Sequence, residues 1–526
     1  MYHETWMNIF DTLESSLDNG ILLFRGRKYY PCNMIVVADT QEAYSMTLVL
    51  ASNRTNMPCR YCKCPSRQLS NMDAYYDVRE EGDIINAFNT AAGRSQLASE
   101  SLHTDVRNAF WGRFVYGIYG STPFDLLHLF DLGICKYVVD WTCDSLSPAG
   151  QKKLDEYFSD IPTYNDGKYF MPLYKIGITE LHKKDAKDYR TIIQLIPFIL
   201  TTDYEFLYMS EQDHRRILEV YQSLNNVMRC LRTRNTYNDA TLEKLRGDIR
   251  TLARCIKEAF PGKNASSFNF VKFHSMIHLP EFIKLYGVPQ NYNSEAFEQS
   301  HKHYAKLPYL RTNKHFDHTK HMKRRMDRIS IVNELLVHSK TYEAPNNWEV
   351  RHKVNARKCS LNDSSVELPS DLSHKALIEL VTEYLENDLV IDNAMNYINS
   401  NDSGIHFSAT FYAGQDRFTV NADPNYKGYG PKYDDIEILH RTSRSYKWFA
   451  ELRTFVSLPA HGKTLAIVRN YRNLGQVNAL KCIRLEFETI EDQKFTVLEL
   501  SNLNQKVHII PDFADPGFYF YNDIYF

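Results

Sequence analysis

The chain has no long apolar run: no stretch approaches the roughly 18 residues that a membrane-crossing helix needs. Its opening, MYHETWMNIFDTLESSL, has neither the basic nor the apolar region of a signal peptide, so an intracellular protein is expected. Glycine (21) and proline (19) are sparse among 526 residues, which excludes collagen-like and low-complexity chains. Neither charge is in excess: 62 Lys and Arg against 64 Asp and Glu leave a net −2. A globally basic protein that coats nucleic acid is thereby excluded, and any contact with nucleic acid must be local. The ten cysteines are scattered without the spacing of a disulfide scaffold, so most are expected reduced and buried. The sequence shows no internal repeat.

What is present is an ordinary globular composition with a heavy aromatic load. Hydrophobic residues make up 43% and charged residues 24%, with 35 Tyr and 29 Phe. At about 100–200 residues per domain, the length predicts two or three domains. Residues 33–38, NMIVVA, predict a short buried strand delivering Asp39 at its C-terminal edge. The polar stretch after it, with Pro58 and Pro65, places Cys59, Cys62 and Cys64 on a loop.

Thr122-Pro123 can open a helix with Leu126, Leu127, Phe130, Ile134, Tyr137 and Val138 at helical spacing. Ser210 and Asp213 form a capping box before Ile217, Val220, Tyr221, Leu224, Val227, Met228 and Leu231, which share one face. Leu242, Leu245, Ile249, Leu252 and Ile256 repeat the period until Pro261-Gly262. Further helices are expected from Phe273 and through SEAFEQSHKHYAKL. Residues 339–372 are polar and aperiodic and read as a linker, with a helical stretch at 374–400. From about 405, short β-rich runs predict a small barrel. In Ile483-Arg484-Leu485-Glu486-Phe487-Glu488 the alternation is strict.

Several of these strings carry chemistry. Asp125-Leu-Leu-His128 sets a carboxylate and an imidazole on one helical face, and Glu298-Gln-Ser-His301 repeats the spacing. Cys59 and Cys62 have the spacing of half a zinc knuckle, with Cys64, His103 and His128 as candidates for the other half. His274 and His278 stand four apart and could ligate a metal, but without the inner Glu of a metalloprotease motif they read more readily as core and surface histidines. From Lys302 to Arg328 nine Lys and Arg occur against two acids; they include Lys302, Lys306, Arg311, Lys314, Lys320, Lys323, Arg324 and Arg325. Tyr304, Tyr309 and Phe316 interleave with them, the pattern of a nucleic-acid contact, although a solvated helix face would look the same.

Four strings occur in order: VVADTQEA followed by PCRYCKCP; STPFDLLHLFDLGICKYVVDW; KFHSMIHLPEFIKLYG; and YNSEAFEQSHKHYAKLPYLRTNKH. Over roughly residues 20–330 they resemble the transposase-derived proteins of fungal CACTA-type elements, close to the Plavaka-like group. The resemblance implies an α+β multidomain chain. Residues 1–338 would form a partial RNase H-like α/β core with a large helical insertion at about 130–270. Beyond the resemblance, the patterning described above reads residues 339–400 as a linker and helix and 401–526 as a β-rich, barrel-like domain.

By the same resemblance Asp39 is the second acid of a DDE triad and Glu298 the final one, with Glu295 the nearby alternative. Asp125 and His128 match the D-x-x-H signature. The family's first Asp belongs on a strand well upstream of the second. Asp11 is the main candidate there, but its neighbours have helical spacing, so a catalytically incomplete enzyme is expected. The implied cofactor is Mg²⁺, incompletely bound, with Zn²⁺ a candidate at Cys59 and Cys62. DNA is the implied partner and the nucleus the implied location. A homo-oligomer and a protein ligand for the C-terminal domain stay open. The competing reading is a non-catalytic protein or chromatin scaffold acting through its C-terminal β domain.

Overall fold

Asp185 starts the helix Ala186–Ile199 with a reciprocal cap: its carboxylate accepts from the Asp188 N–H, and the Asp188 carboxylate accepts from the Asp185 N–H. Asn238 and Thr241 do the same for Asp239–Ala259. The computed structural model describes residues 2–522 apart from internal stretches, the longest being 163–176, 340–350 and 439–446. In it Glu211–Arg232 and Asp239–Ala259 bury the apolar faces read from the sequence, and with Ala186–Ile199 they contribute to the largest core. No described helix is long and apolar enough to cross a membrane.

The segment after Pro123 departs from a regular α-helix. Leu127–Cys135 is wound as a π-helix and passes into the α-helix Lys136–Ser145. Gly133 permits this winding, because a Cβ there would stand 2.7 Å from the His128 carbonyl oxygen. The wider turn buries Asp131 together with Leu127, Leu129 and Phe130.

Among the described residues of 1–338 the sole sheet is the hairpin Leu22–Phe24 with Arg27–Tyr29. No RNase H-like sheet is seen among them. The strand expected at 33–38 is likewise corrected over its described part: residues 35–38 form no strand, and Val36 N–H donates to Ser121 O at 2.7 Å. A ladder needs a neighbouring strand edge, and here the neighbour is the loop entering the π-helix, which offers a carbonyl.

The C-terminal part is a curled antiparallel sheet. Trp448–Leu458 pairs with the first half of the long strand Lys463–Gln476, with a bulge between Leu452 and Thr454; the second half of that strand pairs with Ile483–Phe487. One strand thus serves two stretches of sheet, which curls the whole. Two strands arise inside the expected linker: Arg351–Val354 pairs with Ser408–Ala413, and Lys358–Ser360 with Gly404–His406. Backbone pairing needs no apolar run, so polar composition did not mark them. The helical stretch at 374–400 appears as His374–Asn387 and Ala394–Asn399.

The sheet is not separate from the helices. Cys482, Ile510 and Phe520 belong to the helical core. Phe520 meets Phe198 at 6.0 Å between centroids, and Phe513 meets Tyr157 at 5.0 Å.

Candidate functional site

The Cys59 loop is folded by its own backbone. Lys63 N–H donates to Asp77 O at 2.8 Å and Arg79 N–H to Tyr61 O at 2.9 Å. The buried Arg79 guanidinium then binds the carbonyls of Met57, Cys59 and Glu100. This turns both thiols inward. Against them stands Val271–Tyr286, where a helical turn, a 3₁₀ turn and Leu279–Tyr286 follow one another and put His274 and His278 on one side.

Cys59, Cys62, His274 and His278 bring their donor atoms within 4.8 Å of one another, all buried. Cys59 Sγ lies 3.6 Å from His278 Nε2, Cys62 Sγ 3.2 Å from His274 Nε2, and the two Nε2 atoms 3.1 Å apart. A tetrahedral zinc, with bonds of about 2.3 Å to sulfur and about 2.0–2.1 Å to nitrogen, spaces its donors roughly 3.3–3.8 Å apart. The observed spacings agree within a few tenths of an ångström. Burial works against the Cys59 thiolate, but hydrogen bonds from Cys62 and the two imidazoles hold this thiol well below the usual range; Cys62 is pushed up by its bond to Cys59. One thiolate is thus already favoured, and a dication would discharge the second proton.

The sequence reading caught both halves of this cluster and joined neither. Of the expected partners, Cys64 is buried beside His274 but is not one of the four converging donors, its Sγ also facing the Pro65 carbonyl; His103 is an exposed partner of Asp105, and His128 belongs to the acids. The four-residue spacing of His274 and His278, one face of a helix, is legible in the sequence; what the sequence does not show is that this face meets Cys59 and Cys62.

The acids adjoin this cluster through Phe124, whose ring stacks on His278 with 15° between planes. Asp125 is almost fully buried. Its carboxylate accepts from Ser294 N–H at 2.7 Å, Ser294 Oγ at 2.7 Å, His128 N–H at 3.1 Å and His128 Nδ1 at 2.6 Å. Burial opposes its charge, yet the bonds from His128 and Ser294 hold its pKa below the ordinary value. His128 Nε2 reaches Glu298 Oε1 at 3.2 Å. The His128 pKa is raised, first by the Asp125 bond and then by the charges of Asp125, Glu298 and Asp39.

Asp39 is exposed and caps Thr40–Thr47, its Oδ1 accepting from Glu42 N–H at 2.8 Å. Glu295, the alternative acid, is held by Arg190 in a bidentate pair at 2.8 and 3.0 Å, which lowers its pKa. Asp11 lies on the helix Tyr2–Ser15, 3.8 Å from Arg113. Only the Cys2His2 group gathers three or more ligand atoms within 4.8 Å among the described residues, so the acids do not themselves form a tight cation cage.

In the basic segment Lys306, Arg311, Lys314, Lys320, Lys323 and Arg324 are exposed and Arg325 is partly buried. Tyr304 and Tyr309 are exposed, whereas the side chain of Lys302 and all of Phe316 lie outside the described residues. Lys320 to Arg325 sit on the helix His318–Ser339. No protein-family model matches the chain, and no curated protein matches it.

Proposed function

We propose that this chain is a transposase-derived, DNA-associated nuclear protein whose Cys2His2 centre holds zinc and braces a carboxylate and histidine site that does not cut DNA. The observation carrying this reading is the hydrogen-bonded series Ser294, Asp125, His128, Glu298, set against the four-donor cluster through Phe124. Four buried protein donors leave no open position, so the zinc is structural.

Asp125 is saturated by four hydrogen bonds and Glu295 by Arg190, which leaves Asp39 and Glu298 to hold a hard cation such as Mg²⁺. Such an ion, when bound, would supply Lewis acidity toward a phosphate oxygen. Two carboxylates bind it weakly, which is why cleavage is not expected. The exposed cations between Lys306 and Arg324, with Arg325 beside them, then provide contact with DNA that does not depend on sequence.

The test is a nicking assay on supercoiled plasmid with Mg²⁺ or Mn²⁺, beside a binding titration on linear duplex. Binding without nicking is expected. Metal-dependent nicking that vanishes in Asp39→Ala would overturn the inactive reading, and absence of binding at low salt would overturn the DNA-associated one.

A further inference from the structure

Glu298 stands on a helix that has little to hold it in place. Glu295–His301 runs on without a break through the π-turn Lys302–Lys306 into Leu307–Leu310, where Pro308 is buried, but of its own described side chains none is buried and Phe297 is 61% exposed. Over its first turns the helix therefore gains little from apolar packing. Polar anchors hold that end in place. One is Ser294 on Asp125. The other is a closed set of four charges.

Arg190, on Ala186–Ile199, sends Nη1 to Asp131 Oδ2 at 2.9 Å and grips Glu295 with Nη1 and Nη2 at 3.0 and 2.8 Å. Arg232, the last residue of Glu211–Arg232, reaches the same Asp131 oxygen at 2.5 Å. Asp131 is fully buried in the π-helix, three residues after His128, and Glu295 is three residues before Glu298. The two arginines balance the two carboxylates. Each end of the His128 and Glu298 contact is thus about one helical turn from a member of this set.

We propose that Arg190 is a positioning residue for the acidic site: by clamping Glu295 to Asp131 it fixes Glu298 against His128, and through it the helical region governs the geometry of the carboxylates. The inference rests on the reading of that site given above. Without the clamp, the 3.2 Å contact of Glu298, whose side chain is 53% exposed, would compete with water and contribute little order. A lysine cannot replace the guanidinium, because a single ammonium cannot hold Glu295 through two parallel bonds while also reaching Asp131.

The test compares Arg190→Gln, Arg190→Lys and the near-isosteric Glu295→Gln with the unaltered protein. The first readout is the ring ¹⁵N chemical shift of His128 at fixed pH in protein without added Mn²⁺, with Glu298→Gln marking the shift when that contact is lost. The second is Mn²⁺ affinity by electron paramagnetic resonance. All three variants should move His128 toward the Glu298→Gln value, leave the buried His508 resonance in place, and weaken Mn²⁺ by about tenfold or more. An unmoved His128 resonance in Arg190→Lys and Glu295→Gln overturns the positioning role, even where Mn²⁺ binds normally. Absence of Mn²⁺ binding in the unaltered protein, with His128 still displaced by the variants, overturns the cation site and supports the clamp.

Discussion

The guanidinium of Arg60 lies 3.8 Å from the centroid of the Phe124 ring, and its Nη2 donates to the carbonyls of Thr122 and Pro123 at 3.1 and 2.8 Å. Arg60 is flanked by Cys59 and stands two residues before Cys62, so the sulfur loop grips the three residues that lead into Asp125. Removing this side chain, as in Arg60→Met, would leave two buried carbonyls unpaired, at a cost of about 2–4 kcal/mol. Urea unfolding would give the loss, and hydrogen exchange should rise first at residues 122–128.

Zinc itself should be measurable as one ion per chain by elemental analysis, and Cys59→Ser or His274→Ala should abolish it. At free zinc 100 times the dissociation constant, the folded state gains about 2.7 kcal/mol. A chelator should therefore lower the melting temperature of the unaltered protein and leave that of Cys59→Ser where it was.

DNA binding through the basic segment should fall steeply with salt, each neutralised phosphate contributing about 0.9 to the slope of log K against log salt. Changing Lys323, Arg324 and Arg325 together to Ala should reduce that slope by up to about 2.7. An unchanged slope in fluorescence anisotropy titrations would mark these residues as a solvated helix face.

Acid should loosen the seam between sheet and helices. His508 is buried, and its Nε2 meets the Pro162 carbonyl at 2.8 Å. Burial lowers its pKa to about 4 from the ordinary 6.5. The unfolded chain therefore binds the proton first as pH falls, and the stability is intact above about 6.5 and lost progressively toward 4. The loss approaches roughly 3 kcal/mol at the bottom of that window. In His508→Gln the urea midpoint should vary less between pH 7 and pH 4.5.

The helices were legible because their apolar residues recur at a period the backbone enforces: Ile217, Val220, Tyr221 and Leu224 are all buried, as are Leu242, Leu245 and Ile249. The Cys2His2 centre was not, because Cys62 and His274 are 212 residues apart and no local pattern records which loop a helix will face. The apolar run before Asp39 misled for a related reason. Val36 and Val37 suit a strand, but a strand exists only beside another, and the sequence cannot say that the neighbour is Ser121 in a loop. The link from Glu295 to Arg190 was equally hidden, since Glu295 and Glu298 look alike until a guanidinium 105 residues away selects one of them.

The shared core of helices and sheet bears on inheritance. Phe198 is fully buried with Phe520 against it, and Tyr157 leans on Phe513. A gene cut between the helical part and the strands would leave each product with a wet aromatic face, an invitation to aggregate. A chain without the strands would need polar side chains on those faces to stay dispersed.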